Sequence, residues 1–144
     1  VIHREQTNIL DTALFKNIMY CKFFMVIFVW GLTPLLIPQN LLPFFGLYLN
    51  QTQILFLRIW GVIVLLDFFL YLYIYKRPHT RLAKYLMLFA VIDNGGFGLA
   101  LLIATPIFKL PWGIWANIPF QLFFGYWFLQ FYRQGRLLES KNTN

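Results

Sequence analysis

Between Tyr85 and Phe108 the chain runs for twenty-four residues with a single charge, Asp93, set within Ile92-Asp93-Asn94-Gly95-Gly96-Phe97-Gly98. A stretch of that length and polarity is built to cross a bilayer as one helix. A carboxylate, an amide and three glycines in mid-membrane are costly, so they must face protein or a water-filled cavity. The stretch predicts an integral membrane protein with one polar spot in its interior.

The remainder of the chain agrees. Its residues are 60% hydrophobic and 12% charged, whereas a soluble domain has about a quarter of its residues charged. So few charges cannot build an aqueous surface, and lipid is the expected solvent. No repeat and no linker-like tract divides the sequence, so residues 1–144 read as a single membrane domain. The lone cysteine, Cys21, excludes an intrachain disulfide and any CxxC redox or zinc site. It reads as a small apolar side chain in a helix.

The net charge of +7 does not point to nucleic acid, because ten of the twelve Lys and Arg residues flank apolar segments. They form three groups: Arg4, Lys16 and Lys22; Lys76, Arg77, Arg81 and Lys84; Arg133, Arg136 and Lys141. The opposite connections carry only Lys109, and this asymmetry places both termini in the cytoplasm. The partners implied are the bilayer with its anionic headgroups and other membrane subunits or further copies of the chain. The expected location is the cell (inner or plasma) membrane.

Taken in order, the apolar segments predict an all-α, antiparallel bundle of four transmembrane helices, at about 18–37, 53–75, 85–106 and 112–132. Asp11 is the expected cap of a helix starting at Thr12, Thr52 of the second span and Thr80 of the third. Pro34 is expected to kink the first span and Pro119 to bend the fourth, freeing the Trp115 carbonyl. Pro111 suits a first helical turn. Residues 38–52, uncharged and aromatic-rich, should lie in the outer interface, either as a short helix after Pro43 or as a connecting loop. The polar tail is expected to fray after an amphipathic turn at Leu137-Leu138. A cleaved signal peptide is not expected, since the run from Ile18 to Ile37 is too long for one and no A-x-A site follows.

Chemistry can reside in few places. Asp67 and Asp93 sit at similar heights on antiparallel neighbours. If they face each other, both cannot be ionised comfortably. Gly96, Ala100 and Ala104 repeat at the four-residue spacing that lets helices approach closely, and Asp93 falls on the same stripe. Gly96 should therefore tolerate leucine less well than Gly113. Tyr71 lies one turn from Asp67 and within bonding reach of it. Arg58, opposite Asp67 on its helix, either snorkels to headgroups or points inward beside Asn117 and Gln121 to hold an anionic group. Asp67, Asp93, Asn94, Arg58, Asn117, Gln121 and Tyr71 are thus the candidates for ligand or proton binding. The Asp93–Gly98 segment lacks the Lys and Ser/Thr of a phosphate loop, and its glycines either pack closely or unwind the helix. His3 and His79 lie outside the spans, so no bis-histidine haem, zinc or other metal site and no nucleophile–His–acid set can be assembled.

Leu57-Arg58-Ile59-Trp60-Gly61, opening the second of four short spans, resembles the DoxX-like small membrane proteins. The resemblance implies a four-helix bundle and, for some members, association with quinone-linked membrane oxidoreductases; it implies no catalytic residue. Three functions compete. The first is a non-catalytic subunit or scaffold of a membrane complex, which needs no special chemistry. The second is a binder or proton-linked transporter of a small lipophilic or anionic ligand, using Asp67, Asp93 and Arg58. An enzyme handling a quinone or a lipid comes last. No haem, zinc or nucleotide motif is present, and a bound lipid or quinone is compatible with the composition.

Overall fold

The computed structural model describes residues 8–142, with side chains as far as residue 135. His3 and Arg4 lie outside the described residues, and the side chains of Arg136, Leu137, Leu138 and Lys141 outside the described side chains. Among the described residues all regular structure is helical. The long elements are α1 (Ala13–Leu36), α2 (Gln51–Lys76) and α3 (Arg81–Phe108), then a single turn, α4 (Trp112–Trp115), and α5 (Ile118–Asn142).

Helices α1, α2 and α3 are long and apolar enough to cross a membrane. Their outward surfaces suit acyl chains: Phe56, Leu66, Phe69, Ile92 and Ile103 are all exposed. A water-soluble chain does not display such a continuous apolar surface. Helix α5 is of similar length but carries Gln121, Gln130, Arg133 and Gln134.

Side-chain contacts give the register. Tyr20 meets Tyr75 and Pro34 meets Arg58, so α1 and α2 are antiparallel. Phe15 packs on Phe131 and Trp30 bonds Asn117, so α1 and α5 are antiparallel as well. Helix α3 packs along α5, but it meets α2 chiefly through Arg81–Ala90. Beyond Ala90 the two helices separate.

Local chemistry explains the helix ends and corrects several expected caps. Thr12, not Asp11, caps α1, its Oγ1 accepting from the Phe15 N–H at 3.4 Å. Asp11 instead meets His79 at 2.8 Å, tying the N-terminal turn to the α2–α3 loop. Asn50, not Thr52, caps α2 and forms a reciprocal pair with Gln53, both bonds 2.9 Å. Thr80 caps α3 as expected, through the Ala83 N–H at 3.2 Å. Between α1 and α2 a 3-10 helix, Gln39–Phe45, stops at Gly46, whose φ of 72° suits a residue without a Cβ. This short helix contains Pro43 and ends shortly after it, whereas the sequence suggests a helix beginning there. Leu42 turns into the protein while Phe44 and Tyr48 face outward.

The helix expected to run on from Trp112 stops after the single turn α4: the chain turns at Ala116-Asn117, and α5 starts at Ile118. Pro119 therefore sits in the first turn of α5, where a missing N–H costs nothing. The helix then continues to Asn142, past the expected turn at Leu137-Leu138.

Two stretches depart from α geometry. Met25–Leu32 in α1 and Val91–Gly96 in α3 are wound as π-helix. In the first, the Thr33 N–H bonds the Phe28 carbonyl, five residues back, just before Pro34. The distortion expected at Pro34 thus appears as a widened turn ahead of it. In the second, each residue taken up by the wider turn swings the helix beyond it by about 100° relative to an α-helix.

That rotation overturns the expected packing stripe. Gly96 and Ala100 are exposed, and a Cβ built on Gly96 meets nothing but its own helix. The side of α3 that packs carries Gly95 and Gly98. A Cβ added at Gly125 of α5 would lie 2.6 Å from the Gly95 Cα, so these two backbones are in direct contact. Between lipid-solvated helices such packing, rather than apolar burial, supplies most of the association energy.

Candidate functional site

The widened turns of α1 and α3 border the same interior space. Val26 and Trp30 contribute from one, Asp93 and Asn94 from the other. Such turns recur at functional sites because they re-aim side chains and leave backbone groups less tightly held. Here they surround a polar chamber of about 160 Å³, closed on its α2 side by Val64, Asp67 and Tyr71.

At its centre is Lys22. The sequence places it with the charges flanking the first span, but in the folded chain it is 2% exposed. Its ammonium donates to Asn94 Oδ1. It also lies over three aromatic faces, with ring centroids 4.6 Å away at Trp30, 4.6 Å at Tyr71 and 4.9 Å at Phe124. A buried ammonium needs such partners, since removing it from water is otherwise prohibitive. Asn94, fully buried, passes the polarity on. Its Nδ2 donates to Ala90 O at 2.8 Å and to Tyr71 Oη at 3.0 Å, and Tyr71 Oη donates to Asp93 Oδ2 at 3.3 Å. One directional chain of hydrogen bonds therefore runs from Lys22 through Asn94 and Tyr71 to Asp93.

The two aspartates both border the chamber, as their matched heights suggest, but they differ in role. Asp93 is exposed at the surface between α2 and α3, with its carboxylate turned inward to Tyr71 and Asn94. It does not lie against a close-packed neighbour as the small-residue stripe implies. Asp67 is half-buried and makes no hydrogen bond to another described residue. Tyr71 bonds Asp93 rather than Asp67, because its hydroxyl reaches across to α3.

Beside this chamber lies a second, of about 310 Å³ and almost wholly apolar, bordered by Leu42, Phe45, Leu57, Leu101 and Ile114. Trp30, Trp60, Phe97 and Gln121 border both. Gln121 is 8% exposed, and its side-chain amide bonds no described residue. Of the residues lining the polar chamber, Val26 on α1, Asn94 on α3 and Gln121 on α5 are buried. On the α2 and α3 side Trp60, Ile63 and Phe97 are exposed as well as lining. Trp60 and Phe97, which border both chambers, reach the surface where α2 and α3 part.

Two expected site residues serve the scaffold instead. Arg58 neither snorkels nor joins Gln121. Its guanidinium donates to Pro34 O at 2.5 Å and Ile37 O at 2.6 Å, closing the last turn of α1. Those carbonyls are left over at any helix end, and a cation there also suits the helix dipole. Asn117 accepts from Trp30 Nε1 at 2.7 Å and donates to Gly113 O at 2.9 Å, fixing the corner before α5. It borders the apolar chamber only. Gly96 and Ala100 face away from the site. Sequence reasoning missed Lys22 and Phe124. The signal was present for Lys22, which lies inside the apolar run and shares a helix face with Val26 and Trp30.

No protein-family model, curated protein or solved structure matches this chain.

Proposed function

We propose that this protein is a four-span bundle of the cell membrane, with both termini and the Lys76–Lys84 loop cytoplasmic, that binds an elongated lipophilic small molecule. The observation that carries the reading is the pair of adjacent chambers, one apolar and one lined by Lys22, Asp67 and Asn94, whose shared lining residues Trp60 and Phe97 are exposed and so mark an opening between α2 and α3. A ligand dissolved in the bilayer reaches such an opening without entering water. Its apolar body would lie between Leu57 and Ile114, and its polar end beside Asp67. Pockets that combine apolar walls with a few convergent polar groups are the usual form of small-molecule sites. The antiparallel contacts of α5 with α1, from Asn117 to Phe131, support its counting as the fourth span.

The test is native mass spectrometry of the purified protein. Wild type should retain a lipophilic adduct, and Ile114→Trp, which fills the apolar chamber, should lose it. No adduct on wild type, or equal retention by the variant, would overturn the reading.

A second reading, a non-catalytic subunit packing against other membrane proteins, is favoured by the outward-facing Gly96 and Ala100. Small residues of that kind permit close helix approach. Cross-linking through Ala100→Cys, on a Cys21→Ser background, should capture a membrane partner if that reading holds; no product would sink it.

A further inference from the structure

We infer that the ligand of the paired chambers is a lipophilic organic monocation, an aliphatic amine or quaternary ammonium, with Asp67 as its counterion. The inference rests on the binding reading above and adds the charge of the ligand.

Three observations converge on it. First, the polar chamber contains two carboxylates and one ammonium among its described lining residues, so acidic groups outnumber basic ones. Second, the one ammonium is already engaged. Lys22 is bonded to Asn94 and enclosed by Trp30, Tyr71 and Phe124, which leaves little of it to meet an anion. Asp93 likewise accepts from Tyr71 and Asn94. Asp67 alone has no hydrogen-bond partner among the described residues. A carboxylate held in a low-dielectric site attracts a cation strongly, and the one positive charge facing Asp67 among the described lining residues, Lys22, makes no hydrogen bond to it and is shared with Asp93.

Third, the surroundings of Asp67 are those a hydrophobic cation requires. Trp60 lies seven residues before it, on the same helix face, and Trp60 and Phe97 border both chambers at the sideways opening. Aromatic faces stabilise alkylammonium groups, tryptophan most of all. Gln121, buried and with no described partner for its amide, stands at the junction and offers a carbonyl oxygen to the same positive end. Beyond the junction the apolar chamber suits an alkyl or aryl body.

The experiment uses radiolabelled decyltrimethylammonium with the full-length protein immobilised in maltoside detergent. Unlabelled decan-1-ol and decanoate, which share the chain but not the charge, serve as competitors and as labelled probes in their own right. Wild type should bind the cation saturably, and decanoate should not displace it. Asp67→Asn should weaken cation binding by about ten- to a hundred-fold, the usual worth of a charge-assisted contact, and leave decan-1-ol binding unchanged. Asp67→Glu, which keeps the charge, should restore binding to within a few-fold. Equal cation affinity in wild type and Asp67→Asn would overturn the inference, while saturable decan-1-ol binding would leave the binding reading standing. Saturable binding of none of the three probes to wild type would overturn both. Should Asp67→Asn fail to fold, the wild-type comparison decides alone: decanoate bound more tightly than decyltrimethylammonium overturns the inference.

Discussion

The Lys22 ammonium donates to the Asn94 side-chain carbonyl across the centre of the bundle, joining the widened turn of α3 to the segment of α1 that precedes its own. Neither group can reach water there, so each is the other's means of being buried.

Removing both partners should therefore cost less than the sum of removing each. Asn94→Leu leaves a buried charge without its acceptor and should destabilise the protein by about 2–4 kcal/mol. Lys22→Met strands only a neutral carbonyl and should cost about 1–3 kcal/mol. The double variant should fall short of the sum by at least about 1 kcal/mol in detergent unfolding titrations. Strict additivity would show that the two side chains do not interact.

The glycines of α3, α4 and α5 make a contrast. Gly125→Ala places a methyl group 2.6 Å from the Gly95 Cα, and backbone cannot move aside cheaply. A loss of about 1–3 kcal/mol is expected, against less than about 0.5 kcal/mol for Gly96→Ala. Gly113, where a Cβ would fall 2.9 Å from the Phe45 carbonyl oxygen, should also tolerate substitution less well than Gly96. That order reverses the one suggested by the small-residue spacing. Melting temperatures of the three variants in one detergent check it, and a Gly96 variant that melts lowest would refute the assignment.

Arg58 offers a third test. Its fork spans two carbonyls, and a lysine has only a point charge to give. Arg58→Met should destabilise by about 2–4 kcal/mol and Arg58→Lys by about half as much, read by thermal unfolding. A methionine variant as stable as wild type would mean that the arginine spends its time at the headgroups instead.

Orientation is tested by labelling. On a Cys21→Ser background, Thr80→Cys should resist membrane-impermeant maleimide in intact cells and react once they are opened, because positive charges cluster at that end. Rapid labelling from outside would invert the proposed topology.

The features legible in the sequence are one-dimensional properties. Lipid as solvent, three spanning helices, the Thr80 cap and the matched heights of Asp67 and Asp93 depend on composition, length and rise per residue. None of these requires knowing which way a side chain turns. Direction was decided by tertiary structure. The widened turns at Met25–Leu32 and Val91–Gly96 carry no residue signature, yet they rotate the helix beyond them, so a stripe projected at α-helical spacing lands on the wrong face. Gly95 and Gly98 thereby replace Gly96 and Ala100 at the contact with α5. Lys22 and Arg58 show the same division. A cation near a span end is stable either in headgroups or against a matched set of acceptors, and the two differ little in sequence. The acceptors, Asn94 for Lys22 and the Pro34 and Ile37 carbonyls for Arg58, stand on other helices, so only the folded chain could bring them within reach.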